Sequence, residues 1–157
     1  MYARTSNDKW LRLASQYAKD NSGCLKVSVG AVIVKDNKLL SIGANRTIPN
    51  LCKTSRGCLR VEKYGEASKL HRNPEDCRAI HSEVDAISTA GQSLVGATIY
   101  VTRYPCEGCA KAIVAAGIAK VVYGRNQAIT VETHKILEGS GVDIINYNRW
   151  VEEDILT

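Results

Sequence analysis

Apolar positions along the first twenty residues recur with helical spacing: Trp10, Leu13, Ala14, Tyr17 and Ala18 fall on one face behind the capping side chains Ser6-Asn7-Asp8. The pattern predicts an amphipathic helix ending near Asn21 to Gly23. Lys26 to Val34 then reads as a buried strand, Asp36-Asn37 as a turn, and Leu39 to Gly43 as the hairpin partner. Both faces of these strands are mostly apolar, so the sheet they start is expected to be covered on both sides. From Asn45 to about Asp76 the periodicity breaks down into a polar loop carrying Pro49, Cys52, Gly57, Cys58, Gly65, His71 and Pro74. A loop of that length inside a compact domain calls for a function or a staple.

Regular patterning resumes with a helix from about Arg78 through Val84, Ile87 and Ala90 to Gly91, and a strand at Thr98 to Thr102. Pro105 opens another helix, whose packed side holds Ala110, Ile113, Val114 and Gly117. A strand at Lys120 to Tyr123, a helix at Val131 to Glu138, a break at Gly139-Ser140-Gly141 and a strand at Val142 to Ile145 follow, and a short helix is expected in the tail from Asn148, with Trp150, Ile155 and Leu156. Two strands followed by repeated helix and strand units predict an α/β protein: a three-layer α/β/α sandwich around a five-stranded mixed sheet. Right-handed crossovers put the helices that begin near Arg78 and Pro105 on one side of it.

Length and composition, 157 residues with 45% hydrophobic and 24% charged, fit one globular domain over residues 1–157 with room for a closed pocket. Apolar runs such as Val29 to Val34 are too short to span a bilayer, and Arg4, Asp8 and Lys9 interrupt any export signal near the start; a cytoplasmic protein with no membrane association is expected. In that setting the six cysteines point to metal ligation rather than disulfides. A net charge of +5 suits an anionic partner without choosing between a nucleotide and a polynucleotide.

Two short stretches carry the chemistry. The first is Ala79-Ile80-His81-Ser82-Glu83-Val84-Asp85-Ala86-Ile87, and the second Tyr104-Pro105-Cys106-Glu107-Gly108-Cys109-Ala110-Lys111-Ala112-Ile113. His81, Cys106 and Cys109 supply three ligands for a tetrahedral zinc ion whose fourth corner stays free for water, and Glu83 is placed to shuttle protons. Cys106 and Cys109 share one helix face in a first turn that favours thiolates. His81 and Glu83 begin their own helix, so two helix N-termini are expected to converge on the ion. The order H-x-E followed by P-C-x-x-C is the signature of zinc deaminases of nucleobases. It implies hydrolytic attack on the amidine carbon of an aminopyrimidine or aminopurine, with Glu83 moving protons to the ring nitrogen and the leaving amine.

Asn45, at the end of the second strand, is a candidate substrate contact, and Arg46, Asp85, Arg103 and Tyr123 are further pocket candidates. Cys24, Cys52, Cys58, Cys77 and His71 cluster around the irregular loop, where a closed structural zinc would tie it down. Sequence order does not choose the four ligands; the favoured set is Cys24, Cys52, His71 and Cys77, with Cys58 spare.

From about Ser22 to Tyr147 the chain resembles the deoxycytidylate (dCMP) deaminases of the zinc-dependent cytidine deaminase superfamily, particularly those of phages and bacteria. The resemblance rests on Val29-Gly30-Ala31-Val32-Ile33-Val34, the Cys-bearing loop into Cys77-Arg78-Ala79-Ile80-His81-Ser82-Glu83, and Tyr100-Val101-Thr102 before the Pro105 to Ile113 stretch. It implies a cytidine-deaminase-like fold, hydrolysis of dCMP to dUMP and ammonia in pyrimidine nucleotide metabolism, and a homo-oligomer, often a hexamer. It also implies catalytic zinc on His81, Cys106 and Cys109, Glu83 as proton shuttle, Asn45 against the substrate, and a second zinc as in phage members. Two departures stand out. Regulated members, which respond to the effectors dCTP and dTTP, carry Gly-Tyr-Asn-Gly where this chain has Gly43-Ala44-Asn45-Arg46, and relatives commonly have Asn where Asp85 stands.

Two other readings remain at this stage. Val121 to Asn126 and Asn45-Arg46-Thr47-Ile48 also resemble tRNA adenosine deaminases, which implies action on a base in tRNA or single-stranded nucleic acid. An aromatic content of 6% with no Phe gives little support for the stacking platform that such a substrate needs. A non-catalytic, zinc-stabilised nucleotide-binding module is the third reading, and Glu83 argues against it, since such a module has no use for a proton shuttle.

Overall fold

The structure is a computed structural model that describes residues 5–24, 26–48, 51–52, 58–69, 73, 76–125 and 130–147. Thr5 caps helix α1 (Ser6–Asn21) in a reciprocal box with Asp8. Strand β1 (Gly30–Lys35) turns through Asp36 and Asn37, both at positive φ, into β2 (Lys38–Ala44). Two consecutive left-handed residues match the right-handed twist of a tight hairpin, and Asp and Asn tolerate that conformation. After α2 (Leu59–Tyr64) and a short 3-10 turn (Gly65–Lys69) come α3 (Ser82–Thr89), β3 (Thr98–Val101), α4 (Glu107–Ala115), β4 (Lys120–Tyr123), α5 (Val131–Gly139) and β5 (Asp143–Asn146).

The sheet runs in the order β2-β1-β3-β4-β5. β1 is antiparallel to both β2 and β3, whereas β3, β4 and β5 are mutually parallel, which gives the expected five-stranded mixed sheet. Alternation along β1 divides the core in two. Val32 and Val34 join Trp10, Leu11 and Ala14 of α1 on one face. Ala31 and Ile33 join Ala86 of α3, Ala110 and Ile113 of α4 and Leu137 of α5 on the other. The molecule is therefore a three-layer α/β/α sandwich, with α3 and α4 on the same side of the sheet.

Three boundaries differ from the sequence-based expectation. β1 starts at Gly30 rather than Lys26 because the Asn45 side chain, not a neighbouring strand, bonds Val27 O and Val29 N, at 2.9 and 2.8 Å. α3 starts at Ser82 rather than near Arg78: Ile80 is extended and forms a β-bridge with Arg46. The stretch from Asn45 to Asp76 contains α2 and the 3-10 turn rather than loop alone. No residue of α2 is buried, so the helix leaves no apolar period to read. It is tied down by polar contacts instead. Asp76 is buried and pairs with Lys63 and with Tyr64 Oη, and Arg78 makes a two-pronged 2.8 Å pair with Glu62. The helix expected beyond Asn148 lies outside the described residues. No described helix is long and apolar enough to cross a membrane.

Candidate active site

α3 and α4 begin at the same end of the sheet, and the residue capping each is extended: His81 at φ −69°, ψ 150° and Cys106 at φ −78°, ψ 171°. An extended residue at a helix entrance projects its side chain past the end of the helix, where the free N–H groups and the positive end of the dipole lie. The backbone leading to His81 is fixed by reciprocal bonds between Arg46 and Ile80, at 2.9 and 2.7 Å. The loop leading to Cys106 is held by Tyr104 N on Arg125 O at 3.0 Å. Gly43 lets α3 settle on β2, since a Cβ there would run into Ser82 O and stand 2.5 Å from Ala86 N.

His81 Nδ1 lies 3.4 Å from Cys106 Sγ and 3.4 Å from Cys109 Sγ. Tetrahedral zinc, with Zn–N near 2.05 Å and Zn–S near 2.3 Å, sets nitrogen and sulfur about 3.6 Å apart. Nδ1 and the two sulfurs all fall within 4.8 Å of one another, the one such trio among the described residues. One imidazole and two thiols are a zinc donor set, and the spacing fits.

The charges in the trio are coupled. The Cys109 thiol and the His81 ring together hold Cys106 down at about 4, despite its burial. His81 is pushed up to about 10, chiefly by Cys106 and then by Cys77, which bonds the same ring. Cys109 is driven upward by Cys106, by burial and by Glu83. A divalent cation displaces these protons and relieves the site.

Glu83 is 4% exposed, and burial pushes its carboxyl above the ordinary glutamate value. Ser82 Oγ donates to its Oε2 at 3.1 Å. A buried, raised carboxyl beside His81 and Cys109 has the properties of a proton shuttle.

The remaining candidates divide. The Asn45 amide is partly spent on Val27 O and Val29 N, which leaves one N–H and one lone pair for a ligand. Asp85 is buried and accepts from Ala44 N at 3.1 Å, and its other oxygen sits 2.5 Å from Arg46, whose side chain is 51% exposed. Tyr123 is in the core, edge-on to Tyr104 at 4.8 Å. Arg103 lines a cavity whose wall holds none of His81, Glu83, Cys106 and Cys109. Cys24, Cys52, Cys58 and Cys77 are half-buried, and the Cys52 thiol is raised by burial and then by Cys77, Cys58 and Cys24. His71 lies outside the described residues. Sequence reasoning missed Ser82 as the partner of Glu83, although it stands inside the H-x-E run, and it missed the contact of Cys77 with His81.

The family model described as MafB19-like deaminase matches residues 5–156. The deoxycytidylate deaminase of Mycobacterium phage D29 is 34% identical over 124 residues, 77% of this chain and 96% of that protein. The deoxycytidylate deaminase of Saccharomyces cerevisiae is 32% identical over 92% of this chain, which spans 46% of the yeast protein's length. The structure is also similar to that of dCMP deaminase from cyanophage S-TIM5 in complex with dCMP and dUMP, with a TM-score of 0.69 and 24% identity over 93% of this chain and 99% of that one. At that identity the likeness speaks for the fold.

Proposed function

The chain belongs to the MafB19-like deaminase family, among deaminases of the phage deoxycytidylate type, and we propose that it hydrolyses dCMP to dUMP and ammonia. One observation carries the reading. Two helix entrances place His81 Nδ1 3.4 Å from both Cys106 and Cys109, with the buried Glu83 carboxyl against them. His81, Cys106 and Cys109 would hold a zinc ion, which would supply a nucleophilic oxygen at neutral pH.

The chain's own residues do the rest. Ser82 Oγ donates to Glu83 Oε2, and the carboxylate so held would accept a proton from the attacking water. Glu83 returns it to N3 of the pyrimidine, and the water's second proton reaches the departing amine by the same carboxylate, so that water in and ammonia out balance. Low solvent exposure raises the carboxyl's proton affinity, which strengthens Glu83 as the acceptor of the water's proton. Asn45 and Arg46 are the direct contacts to substrate, whereas Asp85 and Tyr123 act from the interior through Arg46 and Tyr104.

A second zinc is part of this proposal. Cys24, Cys52 and Cys77, completed by His71 or Cys58, would staple the 45–76 stretch to the entrance of α3; no three of the described thiols lie within 4.8 Å of one another, and the support is that Cys77, Cys58 and Cys24 each raise the Cys52 thiol. We further infer a cytoplasmic homo-oligomer, with dCTP and dTTP as effectors to be tested.

The deciding assay offers purified, zinc-loaded protein dCMP, cytidine, dCTP and an adenosine-bearing tRNA stem-loop and measures released ammonia. dCMP turnover that exceeds the others supports the proposal, and turnover of the stem-loop alone replaces it. Metal analysis finds two zinc ions per chain if the staple exists and one if it does not.

A further inference from the structure

Tyr104 stands two residues before Cys106 and is fixed at three points. Its N–H donates to Arg125 O at 3.0 Å, its ring meets Tyr123 edge-on with centroids 4.8 Å apart, and its hydroxyl lies 3.4 Å from His134 Nδ1 on α5. The residue is 5% exposed, so its hydroxyl sits in an interior where an unpaired O–H is costly. His134 is the one hydrogen-bond partner of that hydroxyl among the described residues. A phenylalanine would fill the same space without that demand; the tyrosine ties the chain ahead of Cys106 to α5 by a directed bond.

The helix places His134 for this contact. Thr133 and Leu137 are buried on either side of it, and Thr130 caps α5 by accepting from Thr133 N at 3.2 Å, so the backbone carrying the ring is anchored. The other ring nitrogen, Nε2, lies 3.8 Å from Glu138 Oε2. A carboxylate there favours the tautomer with its proton on Nε2, which leaves the Nδ1 lone pair to accept from Tyr104 Oη.

From Tyr104 to the metal-ligand candidate the chain is short and stiff. A residue before proline is biased to extended backbone, proline fixes its own φ, and two residues span at most about 7 Å. Cys106 follows directly as the extended cap of α4. A shift in where the Tyr104 ring is held is therefore passed on to Cys106 rather than absorbed between them.

We propose that His134 is a positioning residue for Cys106: through the Tyr104 hydroxyl it sets where the Cys106 sulfur meets a metal ion shared with His81 and Cys109. The proposal rests on the reading of that trio as a zinc site, and its test separates the two.

Zinc affinity is measured on the full chain by competition with a chromophoric chelator, and site geometry by the visible absorption of the cobalt-substituted protein. The variants are Cys106→Ser, His134→Leu, His134→Gln, Tyr104→Phe and Tyr104→Phe/His134→Leu. Cys106→Ser identifies the zinc held by the trio. Losing a group that orients a metal ligand typically weakens metal binding about 10- to 100-fold. His134 acts through an intervening residue, so His134→Leu and Tyr104→Phe should each weaken that zinc by about tenfold, the low end of that range, and alter the cobalt spectrum. The double variant should bind no more weakly than either single one, because both remove the same bond. His134→Gln, whose carbonyl can accept from Tyr104, should restore most of the affinity. For dCMP, kcat should fall while KM holds, since no substrate contact is touched.

A lowered melting temperature with zinc affinity and cobalt spectrum as in wild type reduces the contact to packing and overturns the proposal, as do additive losses in the double variant. Tyr104→Phe keeps the ring, so it decides the matter even if His134→Leu fails to fold. If Cys106→Ser binds zinc as wild type does, a result seen in that variant alone, the zinc reading falls and takes the role of His134 with it.

Discussion

Replacing Glu83 with Gln removes a proton acceptor while leaving shape nearly unchanged, which separates chemistry from packing. The side chain is 4% exposed, and its Oε2 accepts from Ser82 Oγ at 3.1 Å, a bond that the Gln carbonyl can also accept. Proton transfer by a positioned side chain contributes about 10²- to 10⁴-fold to rate, or about 3–5 kcal/mol of barrier. With no other described carboxylate assigned to the site, Glu83→Gln should lose most of that range in kcat. Stability should move the other way. Burial raises the Glu83 pKa above that of the unfolded chain, so its contribution to stability is present below the ordinary value of 4.5 and is lost as pH rises. At neutral pH an amide avoids that loss, and metal-free Glu83→Gln should melt at or above the wild-type temperature. The assay pairs dCMP turnover with zinc content by elemental analysis and thermal melting. Zinc retained, melting preserved and kcat within tenfold of wild type would refute the role given to Glu83.

Gly43→Ala should destabilise by about 1–3 kcal/mol, read by chemical denaturation, because its Cβ meets the backbone of Ser82 and Ala86 and α3 must back away from β2. The same displacement should lower zinc retention, since His81 caps that helix. Arg46→Ala leaves the buried Asp85 carboxylate without its ion-pair partner; because Arg46 is half exposed, a loss of about 1–2 kcal/mol is expected, and Arg46→Ala/Asp85→Asn should recover most of it. The Asp76 pKa is lowered by Lys63 and then Tyr64, so its contribution is present above the ordinary value of 3.8 and lost as pH falls; acid melting curves of wild type and Asp76→Asn should converge at low pH.

The grouping of His81, Cys106 and Cys109 and the five-stranded mixed sheet were legible because short stretches of sequence carry them. His81 and Glu83 sit within one turn, Cys106 and Cys109 within another, and the strands carry continuous apolar runs whose two faces fill two cores. What escaped is held by side chains distant in sequence. The late start of β1 depends on Asn45, sixteen residues beyond Val29, and the late start of α3 on an Arg46 bridge to Ile80. α2 escaped because it buries nothing: Glu62, Lys63 and Tyr64 hold it through partners at Arg78 and Asp76, and ion pairs leave no period along the chain.

Arg46 and Asp85, two of the positions at which the chain departs from the deoxycytidylate deaminase pattern it resembles, are in contact. A carboxylate buried at 5% exposure needs a donor and a cation, and Ala44 N and the Arg46 guanidinium provide them. Either change alone leaves an unpaired charge or a missing partner; together they pin the end of β2 to α3. The pairing also bears on phosphate recognition. A guanidinium 2.5 Å from Asp85 has its charge largely matched and is a weak attractor for a dianion, although it lies next to Asn45.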